Sequence, residues 1–152
     1  MSVTLQHILQ QKGTQVYSTT PDATLQDVVH QLLDHGVGSL LVCGPACDDG
    51  SPNMVGIITE RDVLKACAKA KPLDQVSVES AMTTEIVTGK PEDLLEHAMS
   101  LMTTNRMRHL PVVDENGLRG LISIGDLIKA ELELAATENH HLKHYIYGAD
   151  PE

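Results

Sequence analysis

The chain has 152 residues, enough for one domain or two small ones, and 41% of them are apolar, enough to build a core. Its 21 acidic residues against 11 Lys and Arg give a formal charge of −10, and Trp and Phe are absent, so both phosphate attraction and base-stacking platforms are missing and nucleic-acid binding is not expected. No stretch approaches the roughly 20 apolar residues that span a membrane, the first residues lack a basic, then apolar, leader, and Cys43, Cys47 and Cys67 are too few for a disulfide framework; a soluble, cytoplasmic protein with no membrane contact is the expectation.

In chain order, Leu5, Ile8 and Leu9 mark one face of a short N-terminal helix, and Gln15 to Thr19 read as an extended run that Pro21 ends. Leu25, Val28, Val29, Leu32 and Leu33 recur at helical spacing, with Gly36 as the C-terminal cap. Two strand-like runs follow, Ser39 to Cys43 and Met54 to Thr59, then a helix near Glu60 to Ala70 that is apolar at Val63, Leu64 and Cys67. After a linker, Pro72 to Met82, the same order returns. An extended run, Glu85 to Thr88, precedes a helix on Leu95, Ala98, Met99 and Met102; strands His109 to Val113 and Leu118 to Ser123 are joined by an Asp114-Glu115-Asn116-Gly117 hairpin. A helix from Ile124 to about Glu138, apolar at Leu127, Ile128 and Leu132, completes the copy.

The return is literal. Pro21 to Gly44 lies over Pro91 to Asp114 at a constant offset of 70, and Gly56 to Lys65 over Gly120 to Lys129 at 64, the difference falling in the polar loop Pro45 to Val55. Each copy is a β-α-β-β-α unit that would bury its core only marginally alone, so the expected fold is α+β, two tandem units packed about a pseudo-two-fold axis with extra N- and C-terminal helices. The expected boundaries are 5–71 for the first unit with the N-terminal helix, 76–138 for the second, and 139–152 for a C-terminal extension.

Thr59 and Ser123 fall where a strand ends and a helix begins, a place where open N–H groups and the helix dipole favour a phosphate. Asp62 and Asp126 follow one turn later and suit the two hydroxyls of a ribose. Gly56 and Gly120 allow a close approach, and Ile58 or Ile122 offers an apolar wall for a purine. The same spacing is also nearly a capping box, in which hydroxyl and carboxylate bind the helix backbone instead. Arg61, Arg106, Arg108 and His109, in a chain short of positive charge, favour an anion site over ordinary surface charge.

The doubled Gly-apolar-x-apolar-Thr/Ser-x-x-Asp motif, preceded in the second copy by Arg108-His109-Leu110-Pro111-Val112-Val113-Asp114, resembles a tandem pair of cystathionine β-synthase (CBS) domains over residues 5 to 138. The resemblance implies a Bateman module, here as a stand-alone CBS-domain protein: two clefts for adenosine-containing ligands such as AMP, ADP or ATP, in some relatives NAD(H) or S-adenosylmethionine, on a homodimeric disk that regulates another protein. It places Ser18 and Thr88 at the adenine edge and Pro111 within the ligand-facing motif. The copies differ: Arg108-His109 stands against Gly38-Ser39, and Glu60-Arg61 against Ile124-Gly125, so equal sites are not expected, and the cleft of Ser123, Asp126, Arg108 and His109 is favoured. The rival expectation is an interaction scaffold with empty, degenerate clefts.

No nucleophile elbow, phosphate loop or zinc pattern is present, so neither catalysis nor a metal cofactor is expected. Cys43 and Cys67 read as packing, Cys47 as loop. His140 and His144 share a helical face, but Leu142, Tyr145 and Ile146 fit an amphipathic tail better than a metal or metal-sensing site.

Overall fold

The computed structural model describes residues 2–46 and 53–147, and side chains as far as residue 137. The fold is α+β, as the repeat predicts. Two compact units make it up: one holds residues 15–88 with 114–118, the other the N-terminal helix, residues 89–113 and the chain from 119 onward.

The first unit is built on strands β1 (Ser18–Thr19), β2 (Ser39–Gly44) and β3 (Asn53–Thr59), with β1 parallel and β3 antiparallel to the central β2. Helix α2 (Leu25–His35) begins with a complete capping box between Thr24 and Asp27 and ends at Gly36, whose φ of 63° is the left-handed conformation that closes a helix without a Cβ clash. Helix α3 (Glu60–Ala68) follows β3 without a break. Period-two alternation sends Leu40, Val42 and Ile58 to one face of the sheet, where they join Leu25, Val28 and Leu32 of α2 in the core.

The second repeat follows the same plan with α5 (Leu95–Thr104), the hairpin β4 (His109–Asp114) and β5 (Gly117–Ser123), and the long α6 (Ile124–Tyr147). Leu95, Met102, Leu110, Ile122 and Leu127 are the largest fully buried side chains from these elements. Over its described residues the expected C-terminal extension is no separate element, since α6 continues as far as Tyr147; the side chains of His140, His141, Leu142, His144, Tyr145 and Ile146 lie outside the described residues, as does Cys47.

Helix α1 (Leu5–Lys12) and the expected linker carry the main correction. Helix α1 joins the second unit instead of the first: Leu5 N–H donates to Asp93 O and Leu95 N–H to Val3 O, both at 2.9 Å, and Leu5, Ile8 and Leu9 are buried. The segment before the second copy makes the same bonds with the first. Val78 N–H, at the start of the short helix α4 (Val78–Ala81), donates to Ala23 O at 2.8 Å, Leu25 N–H donates to Val76 O at 2.9 Å, and Val76 and Val78 enter the first unit's core. Each copy is thus completed by the segment that precedes the other.

Smaller corrections have local causes. Residues 84–88 form no strand; pairing there reduces to a single parallel bridge between Gly89 and Val112, where Gly89 fits against Leu110 and Leu5. Leu33, Leu64 and Cys67 face outward, Leu33 at 75% and Leu64 at 67% exposure, as do Ile128 and Leu132, because one helix turn presents only part of a broad apolar stripe to a thin core. Cys43 is half-buried in β2, and burial pushes its thiol up.

Candidate functional site

Each strand-to-helix junction brings a hydroxyl and a carboxylate together. In the first unit the backbone of Thr59 is extended, so the chain can turn from β3 into α3 with Thr59 as the N-cap. Its hydroxyl accepts the Asp62 N–H at 3.4 Å and donates to Asp62 Oδ2 at 3.1 Å, while Oδ2 also accepts the Thr59 N–H at 3.0 Å. Asp62 is only 7% exposed, and both bonds to its carboxylate fall on Oδ2, so Oδ1 has no protein partner among the described residues. Gly38 O, next to β2, accepts the first helical N–H, from Glu60, at 3.1 Å.

The second unit makes the same junction with Ser123 and Asp126. Ser123 N–H donates to Asp126 Oδ2 at 2.8 Å, Asp126 N–H donates to Ser123 Oγ at 3.1 Å, and Ile124 N–H finds Arg108 O at 2.8 Å, in place of Gly38 O. One partner is new. Lys12 Nζ, from the end of α1, lies 2.6 Å from Asp126 Oδ2 and donates to Leu121 O at 2.8 Å. Burial works to raise the Asp126 carboxyl, but the hydrogen bonds from Lys12 and Ser123 and the Lys12 charge outweigh it and hold it below the ordinary carboxylate range. Sequence spacing could not reveal Lys12, a residue 114 positions away whose place in the last helical turn reads as a complement to the dipole.

The remaining predicted residues scatter more. Ser18 is exposed in β1, Thr88 is exposed just before the Gly89 bridge, and Arg61 is exposed in the first turn of α3. Arg108 is exposed beside β4, His109 is half-buried at its start, and Pro111 is buried within it, its carbonyl accepting the Gly89 N–H at 2.9 Å. Ile58 and Ile122, expected as an apolar wall for a purine, are both fully buried, Ile58 on the core face of its sheet. The close approach expected at Gly56 and Gly120 is present: a Cβ would stand 2.6 Å from Met82 Sδ at Gly56 and 2.7 Å from Leu9 Cδ2 at Gly120. Ser39 Oγ, across the ladder from Thr59, is buried without a hydrogen-bond partner. Among the described residues no group of three or more His, Cys, Asp or Glu is placed to hold a metal, and no helix is long and apolar enough to cross a membrane.

A strand feeding a helix through a hydroxyl cap, twice, with an Asp one turn in, defines the class, and the comparisons agree. The CBS domain family model matches residues 13–69 and 78–133. The chain is 35% identical to the mitochondrial CBS domain-containing protein CBSX3 of Arabidopsis thaliana, over 97% of this chain and 73% of that one. A CBS-domain-containing protein from Agrobacterium tumefaciens superposes with a TM-score of 0.77 at 33% identity, covering 86% of this chain and 95% of the other. A CBS domain protein from Pyrobaculum aerophilum, solved as a complex with AMP, gives 0.73 at 27% identity over 88% and 99%. The chain belongs to the CBS domain family and carries a tandem pair.

Proposed function

We propose that the pair is a regulatory module that binds an adenosine-containing nucleotide and passes the event to a partner protein by a change of conformation, not by catalysis. AMP, ADP or ATP is the primary ligand class, with NAD(H) and S-adenosylmethionine as further candidates, and the setting is cytoplasmic energy sensing. The observation that carries this reading is the divided carboxylate: Oδ2 of Asp62 and Asp126 closes the helix cap, while Oδ1 has no protein partner among the described residues and suits ribose hydroxyls. The AMP complex of the Pyrobaculum aerophilum relative supports that ligand class. In this proposal Thr59 and Ser123 meet phosphate or ribose, Arg61, Arg108 and His109 balance its charge, and Ser18 and Thr88 meet the adenine through backbone or hydroxyl. Ligand moves the conformational equilibrium only through its differential affinity for two states. A homodimer is part of the proposal, supported by the exposed Leu64 and its repeat counterpart Ile128 with Leu132.

Two observations favour a scaffold with empty clefts. Both caps are complete without a ligand, and the two isoleucines expected to wall the purine are in the core. Thermal unfolding with a nucleotide panel separates the readings. A ligand at a hundred times its Kd adds about 2.7 kcal/mol, roughly 5–10 °C for a chain of this size. No displacement by any adenosine compound leaves the scaffold.

A further inference from the structure

The exchanged segments are equivalent up to one point and then part. Leu9 packs at Gly120 as Met82 packs at Gly56, which marks the two residues as counterparts. Beyond Leu9, α1 continues for most of a turn to Lys12. Beyond Met82 the chain has left α4, and Thr83 pairs with Ile57 in both directions, at 3.0 and 2.9 Å. Only the longer helix delivers a cation: Lys12 reaches Asp126, whereas Asp62 has no ion pair among the described residues.

Lys12 therefore changes one site alone. Its ammonium holds Asp126 Oδ2 and Leu121 O, uses two of its three donors there, and stays 34% exposed, so the third remains available on the side that faces water. Because Oδ2 is also the oxygen that the Ser123 N–H holds, Lys12 does not occupy Oδ1. A positive charge beside a ribose-binding carboxylate does little for an uncharged nucleoside and favours one that carries phosphate.

We propose that Lys12, from a helix outside the second repeat, is a specificity-determining residue of the second junction, strengthening its preference for adenosine ligands with a 5′-phosphate over those without by a contact that has no counterpart at the first junction. The inference rests on the adenosine reading above. The test is a titration of the full chain with AMP and, separately, with adenosine, followed at the backbone amides of Ser123 and Asp126 by nuclear magnetic resonance, in wild type, Lys12→Met and Lys12→Arg. The expected result is an AMP affinity about fivefold weaker in Lys12→Met, adenosine unchanged within twofold, and Lys12→Arg close to wild type, the scale of a partly screened charge contact. Equal loss for both ligands would make Lys12 merely structural and overturn the proposal. So would tighter binding of both, which would make Lys12 a plug on Asp126. If neither ligand moves these amides or any others in the wild type, the adenosine reading itself fails and this inference goes with it.

Discussion

The two repeats keep the same junction and hold it differently. In the first, Thr59 and Asp62 form a closed cap with the carboxylate almost fully buried and no ion pair among the described residues; in the second, Ser123 and Asp126 form the same cap, half-buried, and a lysine from α1 joins it. Helix α2 starts with a Thr24–Asp27 capping box, whereas α5 starts at Leu94 with no side-chain cap; in both, the first N–H goes to the exchanged segment. Duplication therefore preserves backbone geometry more strictly than the side chains that stabilise it, because the exchanged backbone bonds can hold a helix start where a cap has been lost.

The exchange gives the largest expected effects. Leu5→Ala, at a fully buried position, should cost about 2–5 kcal/mol, and Val78→Ala about 2 kcal/mol. Hydrogen exchange should speed up at the α5 amides in the first variant and at the α2 amides in the second; the reverse assignment would break the comparison. Next come the paired glycines. Gly56→Ala meets Thr83 O, a backbone atom, at 3.0 Å as well as Met82, whereas Gly120→Ala meets only the flexible Leu9 side chain among its three nearest contacts, so denaturant melts should show Gly56→Ala as the worse, at about 1–3 kcal/mol.

A smaller effect comes from the helix ends. Arg106 stands one repeat after Gly36 and holds a φ of 53°, a left-handed conformation that disfavours a side chain, so Arg106→Gly should stabilise by about 0.5–1 kcal/mol in a thermal melt. The Lys12–Asp126 pair should matter least. Because the folded carboxyl lies below the unfolded value of 3.8, its contribution is complete above that pH and is lost as pH falls through the lower folded value. With 34% and 23% side-chain exposure the pair is worth under about 1 kcal/mol, and Lys12→Met should flatten the acid limb of the stability curve by that much, as urea melts between pH 5 and 2 would show.

Much of this was legible in the residues. The repeat offsets, the hydroxyl at each strand end and the Asp one turn later are local patterns, and locality is what spacing reads. Which copy a short apolar segment covers is not local: Leu5, Ile8 and Leu9 announce a buried face without naming its partner, and nearness in sequence pointed to the wrong copy. The same reason hid Lys12. Ile58 and Ile122 pose a different question, since alternation along a strand assigns two faces but not which of them meets a ligand.

The crossed segments also constrain how such a chain could arise or be divided. A lone repeat carrying its own leader could not seat that leader on itself in this way, so two separate copies would have to trade leaders, as intertwined dimers do, before any fusion. Severing the backbone between Ala70 and Pro72 should accordingly yield two fragments that are poorly folded apart and recover the native fold when mixed.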